Sequence, residues 1–201
     1  MMVVVGVTGG IASGKSLVSD WFKKLHIKVL DADRIYKKLI QSNASLYRDI
    51  IDAFSLEENP NKTIDFKVLG RIVFNDQEKL QILNAITHPY VIKEIEKHIE
   101  HYRHEDLPLL VLDVPLLFEA NMAIYCDAII CVYADRETQI SRLMKRGYLN
   151  REIAIQRIDS QMDLEEKKEK SDYVIDNSWS RDASYEQFRD ILVKIKKKDR
   201  M

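Results

Sequence analysis

A chain of 201 residues suits one domain with inserts; 46% hydrophobic residues can fill a core, and 31% charged residues suit a soluble protein. With 31 basic against 32 acidic residues the formal net charge is −1, so no global basic field recruits nucleic acid or a membrane surface. The first apolar run is too short for a signal peptide or a spanning helix, and two cysteines, Cys126 and Cys131, make no disulfide framework, so a cytoplasmic setting is expected.

The run Val3-Val4-Val5-Gly6-Val7 is too short and too β-branched for a helix and reads as a buried parallel strand. Gly9-Gly10-Ile11-Ala12-Ser13-Gly14-Lys15-Ser16 then fits G-x-x-x-x-G-K-[ST]. Leu17, Val18, Trp21, Phe22 and Leu25 follow as one helical stripe. Strand, Gly-rich loop and helix are the context in which this motif binds a nucleoside triphosphate. Gly9 and Gly14 can take positive φ and let the backbone approach closely. Successive N–H groups then meet phosphate oxygens at the positive end of the helix. Lys15 reaches the β and γ phosphates, and the Ser16 hydroxyl ligates Mg²⁺. A Gly-rich turn without a ligand is the plainer alternative; all fixed positions and both flanks favour the nucleotide.

Lys28-Val29-Leu30-Asp31 reads as a short strand running into Asp31-Ala32-Asp33-Arg34, and helical spacing resumes at Ile35, Leu39 and Ile40. Ligands of open parallel sheets lie at the carboxyl ends of strands, so Asp31 and Asp33 are expected beside the phosphate loop. They can ligate Mg²⁺, accept a proton or cap the helix, and position alone does not choose. Residues 42–105 read as mostly helical. Stripes fall at Leu46, Ile50, Ile51 and Phe54, at Phe66, Leu69, Ile72, Val73 and Phe74, and at Leu80, Ile82, Leu83 and Ile86, with a loop around Pro60. Thr87-His88-Pro89 is expected to end that last helix and Pro89 to open a new one carrying Ile92, Ile95, Ile99 and Tyr102. Such a block far exceeds the dozen or so residues of a crossover and reads as an insert that closes over a second substrate. His98, His101 and His104 diverge around a helix, so a solvated face outweighs a metal site.

Leu109-Leu110-Val111-Leu112-Asp113 is the clearest later strand. An apolar strand ending in Asp is the usual partner of a phosphate loop, reaching the metal directly or through water. Asp127–Tyr133 is the next strand. A basic helical stretch follows, with Arg136, Arg142, Lys145, Arg146, Arg151 and Arg157; Arg142 and Arg146 share a face, and Arg157 and Gln161 repeat their spacing. Gly147-Tyr148-Leu149-Asn150 supplies a turn. Arg-bearing hairpins of small kinases neutralise the transferring group; the alternative is a solvated face, to which Glu165–Lys170 is assigned. Tyr173–Asn177 reads as a last strand, Tyr185, Phe188, Ile191, Leu192 and Ile195 as an amphipathic helix, and Lys196–Arg200 as a frayed tail.

From Val4 to about Ile195 the chain resembles the dephospho-coenzyme A kinase family. The marks are Thr8-Gly9-Gly10-Ile11 leading into Ser13-Gly14-Lys15-Ser16, then Asp31-Ala32-Asp33, Thr87-His88-Pro89, Asp113-Val114-Pro115-Leu116-Leu117-Phe118-Glu119, Arg142, Arg146, Arg157, Gln161 and Asp176-Asn177. The phosphate loop alone is widely shared; the combination in this order is specific. Ala12 stands where the family often has Gly, which asks for a backbone conformation that a Cβ tolerates, and Leu17 stands where Thr is common. Asn150-Arg151-Glu152 departs from the family's lid, so Arg151 takes no role.

The resemblance implies an α/β P-loop kinase fold, a five-stranded parallel sheet flanked by helices. Core segments would be 1–34, 106–135 and 171–201, with a helical CoA-side insert 35–105 and a lid 136–170. It implies ATP with Mg²⁺ as phosphoryl donor and dephospho-CoA as acceptor at its ribose 3′-hydroxyl, with no nucleic-acid or membrane partner. The phosphates would lie on the backbone of Gly10, Ile11, Ala12, Ser13, Gly14, Lys15, Ser16 and Leu17 and on the Lys15 side chain. Ser16 and Asp113 would serve the metal, Asp33 would be the general base, and Arg142 with Arg146 would offset charge. Another small-metabolite kinase, for a nucleoside monophosphate or a sugar, stays open as an alternative. A GTPase-type switch is disfavoured, since Asn177-Ser178-Trp179-Ser180 is no N-K-x-D signature.

Overall fold

The computed structural model describes residues 2–58, 61, 63–73, 76–147 and 149–198. The expectations placed on Pro60, Phe74, Tyr148, Asp199 and Arg200 lie outside these residues. Five strands, β1 (Val3–Gly9), β2 (Lys28–Asp31), β3 (Leu109–Asp113), β4 (Ala128–Tyr133) and β5 (Tyr173–Asp176), form one sheet in the order β2-β3-β1-β4-β5. β1 runs parallel to β3 and β4, and β4 parallel to β5. The helices are α1 (Lys15–Lys24), α2 (Ala32–Ser42), α3 (Ala44–Phe54), α4 (Phe66–Val73), α5 (Gln77–His104), α6 (Arg136–Gly147), α7 (Arg151–Asp159), α8 (Leu164–Glu169) and α9 (Arg181–Lys198).

The chain divides into two compact units, Met1–Leu30 with Tyr102–Met201, and Asp31–His101, a few residues earlier at each border than 35 and 105. In the first unit β1 is the central strand, and its apolar residues are buried as a parallel strand requires. Val18, Trp21 and Phe22 of α1 pack with Phe188, Ile191, Leu192 and Ile195 of α9 against Val5, Val7, Val111, Ile130 and Val132. Phe22 and Phe188 meet edge to face, ring centres 4.8 Å apart. Aspartates pin the strand starts: Asp127 accepts from the Val4 N–H and Asp172 from the Ile129 N–H, each at 2.8 Å. Register pairs Val7 with Asp113, so β1 runs on to Gly9 past the end of β3.

The second unit has its own core of Ile40, Leu46, Tyr47, Ile50, Ile51, Ile64, Leu69, Val73 and Leu83. Here the expected break at Thr87-His88-Pro89 does not occur: α5 runs unbroken through Pro89. Its buried residues, Leu83, Thr87, Val91, Ile95 and Ile99, recur every four positions on both sides of the proline. Burying that stripe outweighs the roughly 3 kcal/mol a helical proline costs. The Thr87 hydroxyl also donates to the Leu83 carbonyl at 2.8 Å.

The solvated face assigned to Glu165–Lys170 needs one correction. Lys168–Glu165 and Lys170–Glu166 are exposed pairs on α8, but Lys167 is fully buried. The segment after β3 supplies what its charge needs: the ammonium pairs with Glu119 Oε1 at 2.7 Å and donates to the Pro115 carbonyl at 2.8 Å. Thr8 Oγ1 donates to that same carbonyl at 3.1 Å. Thus the segment after Asp113 is held from both β1 and α8. Lys167→Met should destabilise the protein by about 3 kcal/mol in urea unfolding, because it strands the largely buried Glu119 carboxylate. Adding Glu119→Gln should recover part of the loss, and Lys168→Met should leave the midpoint in place.

Candidate active site

Nearly every helix here begins with a side chain that takes its first N–H groups. Asp31 caps α2, Asn43 α3, Asp65 α4, Asp76 α5, Asp135 α6, Asn150 α7, Asp163 α8 and Ser180 α9. Among the described residues α1 is the exception: its N-cap is Gly14, with φ 99° and no side-chain bond. Unsatisfied amides at the positive end of a helix are an anion site.

The loop leading into α1 is shaped by close approach. A Cβ on Gly14 would lie 2.0 Å from Asn177 Nδ2, and one on Gly9 would lie 2.6 Å from the Val132 carbonyl oxygen. Gly9 does not use the positive φ open to glycine; the close backbone approach is what requires glycine there. Ala12 does adopt it, at 61°. This left-handed conformation costs an L-residue about 1 kcal/mol or more. The Ala12 methyl offsets part of that by packing with the Ile140, Leu143 and Ala154 cluster.

The carbonyls of the loop are held from outside it. Arg142 Nη1 donates to the Ala12 and Ser13 carbonyls at 3.4 and 3.3 Å, and its Nη2 to the Asn177 carbonyl at 2.7 Å. Asn177 Nδ2 donates to the Ser13 carbonyl at 2.7 Å, and Ser184 fixes the Asn177 amide by donating to its Oδ1 at 3.0 Å. Arg142 therefore braces the loop. Arg146, one turn on, is exposed with no hydrogen bond or ion pair among the described residues. Three of the eight loop amides are engaged within the chain: Ile11 N–H by Gln161 Oε1, Ser13 N–H by the Gly10 carbonyl and Leu17 N–H by the Gly14 carbonyl.

At the head of α1 the Lys15 ammonium pairs with the buried Asp113 carboxylate at the end of β3. Ser16 is exposed beside it in the chain. A hydroxyl and a carboxylate are hard oxygen donors, which fit Mg²⁺ holding its other positions with water and phosphate. No group of three or more His, Cys, Asp or Glu able to hold a metal occurs among the described residues. A cleft of about 310 Å³ lies beside the loop, lined by Gly10, Ile11, Tyr133, Gln139, Gln161 and Leu164 among others. A hydrogen bond to Glu165, then burial, pushes the Tyr133 phenol up to about 12, so it enters the cleft neutral.

In the other unit Asp31 is a helix cap, accepting from the Arg34 N–H at 3.0 Å. Asp33 is exposed on the first turn of α2. Burial and the Asp33 carboxylate push the Tyr36 phenol up to about 12. Arg151, which took no role above, forms an exposed fork with Glu137. Gln139, Asn177 and Lys167 carry structural work that spacing does not reveal, since each donates to a backbone carbonyl far along the chain.

Comparison with known proteins agrees along the whole chain. The family model described as Dephospho-CoA kinase (CoaE) matches residues 3–182. A dephospho-CoA kinase of Carboxydothermus hydrogenoformans is 45% identical over 202 residues, covering 99% of this chain and 97% of that protein. The structure of dephospho-CoA kinase from Campylobacter jejuni is 33% identical, with a TM-score of 0.73, over 99% of this chain and 100% of that one. The structure of TT1252 from Thermus thermophilus is 29% identical with a TM-score of 0.77, over 96% and 97%. A family model that runs from the first strand into the last helix, and relatives matched almost end to end, show that this chain belongs to the dephospho-CoA kinase family.

Proposed function

We propose that the protein transfers the γ-phosphoryl group of ATP to the ribose 3′-hydroxyl of dephospho-CoA, giving CoA and ADP, the last step of CoA synthesis. The observation that carries this reading is the uncapped start of α1 behind a loop whose carbonyls are tied back, in a chain of this family. No helix among the described residues is long and apolar enough to cross a membrane, and the proposed setting is the cytoplasm.

Loop amides and Lys15 hold the triphosphate. Ser16 and Asp113 would hold Mg²⁺, which when bound offsets phosphate charge and orients the leaving group. Asp33, two residues beyond β2, accepts the proton of the 3′-hydroxyl as the new P–O bond forms and the bond to ADP breaks. Arg142 keeps the loop in shape, and the exposed Arg146, one turn on, offsets charge on the transferred group. Catalysis of this kind is chiefly positioning and electrostatics.

A screen of hydroxyl acceptors with ATP and Mg²⁺ tests the assignment. ADP release should depend on dephospho-CoA and should not follow from nucleoside monophosphates, sugars or ATP alone. Asp33→Asn should lower turnover about a hundredfold or more while leaving ATP affinity in place. Near-normal turnover in that variant would remove Asp33 from the role of base.

A further inference from the structure

Ile11 stands at the tip of the loop, and both halves of its backbone are taken by glutamines from outside. Gln139 Nε2 donates to its carbonyl at 2.7 Å, and its N–H donates to Gln161 Oε1 at 3.0 Å. Gln139 is on α6 and is 3% exposed; Gln161 lies in the link between α7 and α8. Gln139 lies close against the loop: a Cβ on Gly10 would meet its Nε2 at 2.6 Å.

Peptide geometry gives this grip a consequence. In a trans peptide the C=O of one residue and the N–H of the next point in opposite directions. Holding the Ile11 carbonyl toward Gln139 therefore turns the Ala12 N–H the other way. Arg142 and Asn177 do the same for the next two peptides by holding the Ala12 and Ser13 carbonyls. The loop needs such constraint, because Ala12 and Gly14 both sit in the left-handed region, where a flip of the intervening peptides is an accessible alternative.

We propose that Gln139 and Gln161 are positioning residues for ATP: they preset the two peptides of Ile11, so that the Ala12 amide is ready for phosphate. Through them α6 and the α7–α8 link govern nucleotide affinity. This rests on the ATP reading above, and direct ATP binding separates the two. A wild-type protein that binds ATP yet leaves dephospho-CoA unphosphorylated keeps the clamp and loses the kinase assignment.

The two arms differ in direction, one donating and one accepting, and Gln→Glu tells them apart. Each such change adds a similar shape and charge near Ile11. Gln161→Glu keeps an acceptor for the Ile11 N–H. Gln139→Glu loses its donor once the new carboxyl ionises. ATP dissociation constants by calorimetry at pH 8, with KM for each substrate, should show Gln139→Glu weaker than wild type by about tenfold or more. Gln161→Glu should stay within about threefold of wild type, while Gln161→Met should weaken ATP binding by about fivefold or more. The Gln139→Glu defect should shrink at pH 6, where the buried carboxyl is protonated and donates again. KM for dephospho-CoA should not move. Equal ATP affinities for the two Glu variants, or Met variants at both positions that unfold earlier yet bind ATP as wild type does, would overturn the proposal. If Gln139→Glu fails to fold, the contrast between Gln161→Glu and Gln161→Met carries the same test.

Discussion

The structure depends on the polarity of a few peptide groups between β1 and α1. An amide can face an anion only if the carbonyl on the same peptide faces elsewhere, and a buried carbonyl needs a donor. Here the donors are Gln139 for Ile11, and Arg142 and Asn177 for Ala12 and Ser13. They come from α6 and from the turn after β5, elements that follow the loop by more than a hundred residues. The loop's shape is thus a tertiary property. The glycines permit it, and distant side chains impose it.

The parallel sheet makes that convergence possible. β1 is central, with β3 on one side and β4 on the other, so the segments leaving all three strands emerge at one edge. α6 follows β4 directly and brings Gln139 and Arg142 to the loop. β5 pairs with β4 and delivers Asn177, whose N–H donates to the Tyr133 carbonyl at 2.8 Å. The packing of α1 on α9 through Phe22 and Phe188 fixes the helix whose first turn receives the ligand.

Local chemistry was legible in the sequence; long-range polar pairing was not. Val3–Val7 and Leu109–Asp113 announced themselves as strands because a buried parallel strand is apolar on both faces. The fixed residues of the phosphate loop were legible because their chemistry is local. Pro89 misled because its helix-breaking tendency is local, whereas the four-residue series from Leu83 to Ile99 that overrides it is cooperative. Lys167 misled for a related reason: among alternating charges it looks like its neighbours, and only the placement of Glu119 and Pro115 makes it a core residue. Gln161 was marked by resemblance, yet its spacing from Arg157 says nothing of its bond to Ile11. Ala12 was flagged as a departure, but its left-handed φ follows from the loop's closure and not from the residue's own preference.

The charges around the loop follow one logic. Two carboxylates, Asp113 and Glu119, lie on β3 and just after it, where uncompensated charge would oppose a phosphate group. Each is matched by a lysine, Lys15 for the first and Lys167 for the second. The bracing itself is done by neutral amides, Gln139, Gln161 and Asn177, with Arg142 as the one cation among them. Aspartates serve freely as caps on five of the other helices, α2, α4, α5, α6 and α8, where a negative charge at the N-terminus is favourable. An aspartate cap on α1 would satisfy the same amides and cancel the same field. Glycine at that position leaves the amides unspent, and the cost of leaving them so is recovered only when an anion arrives.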